Sequence, residues 1–139
     1  MTTTQDKVLY TGRTHTTGGR GGAARSDDGR LDVTLTRFGT VGPGTNPEQL
    51  FAAGWSACFM GAMARAAQVQ GLRLPAELAV DAEVDLVEGA DGFKLAARLR
   101  VHVPGVPQDT ALAIVEAAHQ LCPYSKATRG NIAVALSVA

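Results

Sequence analysis

The hydrophobic and polar positions in the first third of the chain predict strands followed by a loop. From Lys7 to Thr17 a Thr-rich stretch is typical of an extended segment, and the turn residues SDDG at 26–29 follow it. Apolar residues then alternate with polar ones over residues 31–35, as on a half-buried strand. This pattern predicts a first hairpin or meander. The segment FGTVGPGTNP at 38–47 contains three glycines and two prolines, which predict a loop.

A long helix is predicted from residue 47 to about residue 70. Asn46 can cap this helix, with Pro47 at the first helical position, where the missing N–H costs nothing. A capping box from Thr45 to Glu48 is the alternative start. Gly71 follows the last apolar positions and predicts the C-terminal end of the helix.

The second half of the chain predicts a hairpin, a helix and a last strand. Residues 78–87 alternate between apolar and mostly polar side chains, and the turn EGADG leads into FKLAARLRVHV at 93–103. Asp109 is placed to cap a second helix over residues 110–122. Alternation returns over residues 132–138 and predicts a closing strand. Strands and helices in this order indicate the α+β class.

The long helix is apolar on nearly every face, and a helix of that kind is buried all round. At 1.5 Å per residue it is about 36 Å long, roughly the diameter of a small domain. A single chain of 139 residues cannot easily enclose it. We therefore predict an intertwined homodimer in which two chains share these helices as a common core.

Composition and charge narrow the class of protein. The 139 residues fit one domain, residues 1–139, and 45% hydrophobic residues argue against disorder. Thirteen basic and thirteen acidic residues cancel, so no electrostatic footprint for nucleic acid is present. The N-terminus lacks the apolar core of a signal peptide, and polar residues interrupt the longest apolar run. We expect a cytoplasmic protein that does not span a membrane.

Two cysteines, Cys58 and Cys122, are the candidate reactive groups. They lie 64 residues apart, too far for a local redox or metal motif, so thiol chemistry depends on whether the fold brings them together. If the fold does not bring the two sulfur atoms together, each cysteine is explained as a buried structural residue. Two cysteines in a sequence without a signal peptide argue against a secreted scaffold held together by disulfides.

Other chemistry fits the sequence poorly. His119 and Cys122 are spaced i, i+3, but a metal site would need further ligands from Cys58, His15 or His102, and their spacing matches no known pattern. GWSAC at 54–58 lacks the second glycine of a nucleophile elbow. We therefore predict no metal and no bound cofactor, and we interpret His119 as a satisfied residue of a helix surface.

Four strings resemble one known family. They are TGGR at 17–20, SDDGRLDVTL at 26–35, GTNPEQLFAAGWSACF at 44–59 and CPYSKATRGNI at 122–132. Together they resemble the organic hydroperoxide resistance (Ohr) proteins of the OsmC/Ohr superfamily. The resemblance implies an OsmC-like α+β fold with antiparallel sheets packed around two long central helices. Trp55 stands where a smaller aromatic residue is expected.

The resemblance also implies roles for four residues. Cys58 is the peroxidatic thiolate, which attacks the peroxide, and Cys122 is the resolving thiol that closes a disulfide with it. Arg20 is the cation that stabilises the thiolate, and Glu48 orients Arg20 through a bidentate pair. The implied substrates are organic or fatty-acid hydroperoxides. The implied electron donor is a dithiol, the lipoyl group of a carrier protein.

The physics of a thiol agrees with the need for a cation. A free thiol with a pKa of about 8.5 is only a few per cent ionised at neutral pH, and burial raises the pKa further. The dipole of the long helix cannot compensate, because Cys58 lies 12 residues from the candidate cap, Asn46. Glu48 lies about 15 Å from Cys58 along one straight helix. We therefore predict that Arg20 and Glu48 act on Cys58 of the other subunit.

Each of these residues also has a purely structural interpretation. Arg20 in a Gly-rich stretch is ordinarily a solvated loop residue, and Glu48 is an ordinary acid of a first helical turn. Large side chains of the long helix are core residues first, and some could line a pocket for an alkyl chain. The candidates for that pocket are Phe51, Trp55, Phe59 and Met63.

The sequence therefore leads to a thiol-dependent peroxidase, with two alternatives. One is an OsmC-branch enzyme of broader peroxide preference. The other is a non-catalytic redox sensor or ligand-binding module that uses the same pocket, although no DNA-binding motif supports a sensor.

Overall fold

The computed structural model describes residues 5–139, and the chain divides into two compact units. The first is Met1–Pro47, of which residues 5–47 are described, and the second is Glu48–Ala139. Both α-helices and β-strands are present, so the predicted α+β class is confirmed. The elements are β1 (Thr14–Thr17), β2 (Ala23–Ser26), β3 (Asp32–Thr34), α1 (Pro47–Val69), β4 (Ala79–Gly89), β5 (Gly92–His102), α2 (Gln108–Leu121), α3 (Pro123–Thr128) and β6 (Ala133–Val138).

The first unit is built on the predicted meander. Strands β1, β2 and β3 form an antiparallel sheet in that order. The strand predicted from Lys7 to Thr17 begins only at Thr14, and β2 is a strand that the alternation did not single out. A tight turn joins β2 to β3, and the Ser26 hydroxyl accepts a hydrogen bond from the Leu31 backbone N–H at 2.9 Å. The SDDG turn is thus confirmed in place.

Helix α1 begins and ends where its sequence signals predict. Pro47 is its first residue and Val69 its last, so the predicted start is confirmed and the end differs by one residue. Gly71 has a φ of 70°, a left-handed backbone that favours glycine. Its N–H donates to the Gln68 carbonyl at 3.0 Å, and the Leu72 N–H donates to the Ala67 carbonyl at 2.9 Å. These two bonds form a Schellman motif, which satisfies the last carbonyls of the helix.

Burial along α1 is one-sided within a single chain. The single chain does not bury α1 on all sides, as the sequence led us to expect for the complete protein. This agrees with the argument that one chain cannot enclose the helix. The buried side carries Trp55, Phe59, Ala62, Met63, Ala66 and Ala67. The exposed side carries small residues at helical spacing, Ala53, Ala57, Gly61 and Ala64.

The sheet of the second unit is mixed, which corrects the expectation of antiparallel sheets. Strands β4 and β5 form the predicted antiparallel hairpin. Strand β6 runs parallel to β5, with Ala97 opposite Val134. The direction follows from the connection, because α2 and α3 return the chain to the end of the sheet where β5 began. The closing strand itself is confirmed at Ala133–Val138.

A single apolar cluster holds the second unit together. Helix α1, strand β5 and helix α2 all contribute to it, and the polar faces of β4 and β5 turn away from it. Of the helices in residues 5–139, none combines the length and hydropathy that a bilayer crossing requires. The largest fully buried side chains of the cluster are Trp55, Phe59, Met63, Leu99, Val101 and Ile114.

The start of α2 and the segment after it differ from the prediction. Helix α2 begins at Gln108, with Pro107 at the cap position, so Asp109 as the cap was wrong. Asp109 lies inside the first turn, where its carboxylate accepts a hydrogen bond from the Thr110 N–H at 2.9 Å. Pro123 does end α2, but it also begins the short helix α3, because proline fits the first helical position.

Replacing Gly71 by alanine should destabilise the protein by about 1–2 kcal/mol, because a Cβ atom is unfavourable at this left-handed backbone position. Urea denaturation at a fixed protein concentration measures the change. Gln70→Ala, one residue earlier and exposed with an ordinary backbone, is the control and should change stability by less than about 0.5 kcal/mol. Equal stability of the two variants would contradict the assigned role of Gly71.

Candidate functional site

The fold brings the two cysteines together. Cys58 lies in the middle of α1 and Cys122 at the junction of α2 and α3, and their sulfur atoms are 3.5 Å apart. Both are free thiols, and Cys122 is fully buried while Cys58 is half-buried. A disulfide requires sulfur atoms at about 2.05 Å, so an oxidant that removes two electrons from this pair could join the sulfurs after only a small approach. The question that the sequence left open is thus answered by the geometry.

Cys122 is held by the backbone on both sides. Its N–H donates to the Ala118 carbonyl at 2.8 Å, which continues the pattern of α2. Its own carbonyl accepts from the Lys126 N–H at 2.9 Å, which begins the pattern of α3. Between these bonds the residue is extended, with φ −63° and ψ 123°. The thiol therefore projects from a fixed bend between two helices.

One face of α1 packs against the start of α3. Phe51 lies close to Tyr124, with ring centroids 5.8 Å apart. A Cβ atom at Gly54 would lie 3.1 Å from the Tyr124 hydroxyl oxygen, so glycine allows this approach. The Trp55 indole N–H donates to the Ser125 hydroxyl at 3.3 Å. Together with Cys58 these α1 residues are spaced i, i+3, i+4 and i+7, which places them on one side of a helix.

The surroundings of Cys58 act on its pKa in opposite directions. Burial is the largest influence and raises the pKa of the Cys58 thiol. The backbone N–H of Tyr124, in the first turn of α3, lowers that pKa because it donates to the sulfur. The neighbouring Cys122 raises it again. With burial dominant, the thiolate needs a positive charge in addition to this N–H.

Arg20 occupies a loop whose shape depends on glycine. It is the central residue of a 3₁₀ helix, Gly19–Gly21, in the first unit. Gly18 has a φ of 73°, a left-handed value. A Cβ atom at Gly22 would lie 1.8 Å from the Thr17 carbonyl oxygen, so only glycine fits. The flanking glycines thus let the loop fold tightly around Arg20, and its role toward Cys58 stays a prediction.

Glu48 lies in the first turn of α1, where an acid is favourable beside the positive end of the helix dipole. Helix α1 is continuous from Pro47 to Val69, which confirms the prediction that Glu48 and Cys58 lie on one uninterrupted helix. Glu48 therefore lies about 15 Å from Cys58 along the axis, at 1.5 Å per residue. Its action across a subunit boundary stays a prediction.

Comparison with known proteins places this site in a family. The model of the OsmC-like protein family matches residues 39–137, which include both cysteines. The chain belongs to the OsmC/Ohr family. An organic hydroperoxide resistance protein of Xanthomonas axonopodis pv. citri (strain 306) is 48% identical over 138 residues, covering 96% of this chain and 97% of that protein.

Solved structures of OsmC/Ohr proteins share the fold. The organic hydroperoxide resistance protein OhrB of Bacillus subtilis superposes with a TM-score of 0.90 at 39% identity, covering 95% of this chain and 100% of that one. A Vibrio cholerae structure superposes with a TM-score of 0.88 at 36% identity, covering 96% of this chain and 94% of that one. The Vibrio cholerae protein has captopril bound in one of its active sites.

The four pocket candidates differ in their exposure. Trp55, Phe59 and Met63 are 0% exposed and belong to the apolar cluster of the second unit. Phe51 is half-buried and lies between Trp55 and Tyr124, with ring centroids 5.4 and 5.8 Å away. Among the four, exposure favours Phe51 as a surface for substrate. The pocket itself stays a prediction.

His119 is less well satisfied than its interpretation as a helix-surface residue requires. Its Nδ1 atom is buried and has no hydrogen-bond partner among the described residues. Burial lowers the pKa of His119, and the positive charge of Arg129 lowers it further. Arg129 also donates to the His119 carbonyl oxygen. Within residues 5–139 no three His, Cys, Asp or Glu side chains come close enough to share a metal ion.

Two site residues were missed from the residue pattern alone. Tyr124 contributes a backbone N–H to Cys58, and Ser125 accepts a hydrogen bond from the indole N–H of Trp55, 70 positions earlier in the chain. The available signal was proline directly after Cys122, which predicts the first position of a helix as well as the end of one. A helix that begins there directs its first N–H groups back toward Cys122 and its neighbours.

Replacing Arg129 by glutamine should raise the pKa of His119 toward its ordinary value of 6.5, because a neighbouring positive charge is removed. NMR titration of the imidazole resonances measures this pKa. Lys126→Gln, which removes a positive charge from the same helical region, is the control and should leave the value unchanged. An unchanged or lower pKa in the Arg129 variant would contradict the description.

Proposed function

We propose that this OsmC/Ohr protein is a thiol-dependent peroxidase that reduces organic hydroperoxides, including fatty-acid hydroperoxides, to alcohols. The observation that carries the proposal is the pair of free thiols 3.5 Å apart, one half-buried and one fully buried. Relatives named organic hydroperoxide resistance proteins, at up to 48% identity over nearly the whole chain, support the choice of substrate.

In the first step the Cys58 thiolate attacks the terminal oxygen of the hydroperoxide. The S–O bond forms as the O–O bond breaks, and the alkoxide leaves and takes a proton to become the alcohol. The sulfur is oxidised to a sulfenic acid, and the peroxide is reduced by two electrons. Cys58 suits this role because it is the more accessible of the two sulfurs.

In the second step the Cys122 thiolate attacks the sulfenic sulfur of Cys58. The S–S bond forms, the S–O bond breaks, and hydroxide leaves and is protonated to water. The separation of 3.5 Å lets this step proceed without a large backbone movement. Rapid closure protects Cys58 from a second peroxide, which would oxidise it irreversibly to the sulfinic acid.

The thiolate is formed with help from outside α1. Burial opposes ionisation of Cys58, and the Tyr124 N–H favours it. We assign the remaining stabilisation to the guanidinium of Arg20, oriented by the carboxylate of Glu48. The alternative, in which Arg20 is a solvated loop residue and Glu48 only stabilises the helix start, predicts full activity without either side chain.

We further propose that the active protein is a homodimer with Arg20 and Glu48 acting on Cys58 of the partner. The exposed stripe of small residues on α1 supports close packing of α1 against a second copy. The Vibrio cholerae relative has captopril bound in one of its active sites, so that protein has more than one active site. Glu48 and Cys58 are too far apart on one helix to meet directly.

A dithiol reductant completes the cycle. The disulfide is reduced by thiol–disulfide exchange, in which one donor thiolate attacks and the second donor thiol releases the mixed disulfide. We assign this role to the lipoyl group of a carrier protein in the cytoplasm, with no cofactor bound to the enzyme. Nothing in the proposal requires nucleic acid or a membrane.

Two alternatives make different kinetic predictions. An enzyme of broader preference reduces hydrogen peroxide about as fast as cumene hydroperoxide, whereas the proposed enzyme strongly prefers the organic substrate. A redox sensor is oxidised once and does not turn over. The half-buried Phe51, on the same face of α1 as Cys58, favours an organic substrate.

Steady-state consumption of cumene hydroperoxide with dihydrolipoamide tests the proposal. Cys58→Ser should abolish the reaction, because the nucleophile is lost. Cys122→Ser should allow one turnover and then accumulate sulfinic acid at Cys58, measured by intact-protein mass. Ser56→Ala, which removes a hydroxyl that donates to the Ala52 carbonyl of its own helix at 2.8 Å, should retain wild-type activity. Equal activity of wild type and both cysteine variants would rule out the mechanism.

Mixing inactive variants tests the cross-subunit site. Arg20→Ala and Cys58→Ser chains, unfolded together and refolded at equal concentrations, should regain about a quarter of wild-type activity, because half of the dimers contain one complete site of two. Mixing Arg20→Ala with Glu48→Gln should restore nothing, because both residues come from the same chain. No recovery in the first mixture, or a folded monomer by equilibrium sedimentation, would contradict the arrangement.

A further inference from the structure

A second link joins the same two helices as the sulfur pair. Trp55 precedes Cys58 by three residues on α1, and Ser125 follows Cys122 by three residues into α3. The indole Nε1 atom lies 3.3 Å from the Ser125 hydroxyl oxygen, and the two sulfur atoms lie 3.5 Å apart. Residues spaced i, i+3 share a helix face. The hydrogen bond and the thiol pair are therefore neighbouring contacts between the same two faces.

The link is buried and polar. Both Trp55 and Ser125 are 0% exposed. A buried indole N–H without an acceptor is strongly unfavourable, so rotation or sliding of α3 against α1 is opposed by the loss of this bond. An apolar contact between the same helices would not define the position so narrowly, because it is not directional.

The bond lies where small shifts affect the chemistry. Ser125 follows Tyr124, whose N–H donates to Cys58, and Tyr124 is separated from Cys122 only by Pro123. Movement at Ser125 therefore displaces the first turn of α3 as a unit. Such a displacement changes the distance between the two sulfur atoms, and at the same time it weakens the hydrogen bond from the Tyr124 N–H to Cys58.

We propose that Trp55 and Ser125 are positioning residues, and that their hydrogen bond sets how efficiently Cys122 captures the oxidised Cys58. The inference rests on the proposed function for its biological meaning. After the sulfenic acid forms, two reactions compete for it. Attack by Cys122 forms the S–S bond and releases water, and attack on a second hydroperoxide transfers an oxygen atom, forms the sulfinic acid and releases a second alcohol. The Trp55–Ser125 bond favours the first reaction.

Thiol–disulfide exchange measures the positioning without any peroxide. Equilibration with glutathione redox buffers gives the effective concentration of Cys122 toward Cys58. Ser125→Ala removes one oxygen atom and Trp55→Phe removes the N–H group but keeps an aromatic ring. Each should lower the effective concentration about fivefold, the effect of one neutral buried hydrogen bond. Ser56→Ala should match the wild type.

The double variant distinguishes the bond from general packing. If Trp55 and Ser125 act through one bond, the double variant should lose no more than the worse single variant. A loss of less than twofold in Ser125→Ala, or a double variant whose loss equals the product of the two single losses, would overturn the inference. Thermal unfolding of each variant ensures that only folded protein is compared.

A parallel measurement with cumene hydroperoxide connects positioning to function. The fraction of Cys58 converted to sulfinic acid per turnover should rise about fivefold in Ser125→Ala and Trp55→Phe, in proportion to the lost effective concentration. An unchanged fraction in variants that show the exchange defect would overturn the link to capture. A wild-type protein that consumes no hydroperoxide would instead reject the proposed function, and the exchange measurement would still decide the positioning role.

Discussion

The contact between one face of α1 and the first turn of α3 is the constraint on which the site depends. Cys58 and Cys122 come from segments 64 residues apart, and at this contact their sulfur atoms lie 3.5 Å apart. The contact is close because Gly54 leaves room for Tyr124. Its position is defined because Trp55 makes a directional bond across it. The chemistry of the thiols thus follows from the packing of two helices.

The same packing creates the electrostatic problem of the site. Burial makes the thiolate of Cys58 less favourable, although the thiolate is the reactive form. The N–H of Tyr124 offsets part of this effect from within the second unit. An arginine is suited to supply the remaining stabilisation of the thiolate, because its guanidinium stays charged when desolvated and can pair with a carboxylate at the same time. The same packing buries Cys122 completely and holds its sulfur 3.5 Å from the sulfur of Cys58.

Features determined by local sequence could be predicted. Helix α1 begins at Pro47 because proline has a fixed φ that suits the first helical position, and it ends before Gly71 because glycine adopts a left-handed backbone without strain. The hairpin of β4 and β5 follows from the alternation of residues 78–87 and the turn EGADG after them. The two cysteine strings pointed to the family, and through it to the sulfur pair, before any geometry was known.

Features determined by non-local packing could not be predicted in this way. The parallel direction of β6 depends on how α2 and α3 return the chain to the sheet. The Trp55–Ser125 bond joins residues 70 positions apart, and neither residue type signals its partner. Such contacts emerge only when α1 and α3 have been placed side by side.

The most direct measurement of the central claim is a crystal structure of the protein oxidised in solution with one equivalent of cumene hydroperoxide. The account predicts an S–S bond of about 2.05 Å between Cys58 and Cys122 of the same chain, with the Trp55 indole still bonded to Ser125. A disulfide that joins two chains, or a Cys58 oxidised further beside an unreacted Cys122, would contradict it.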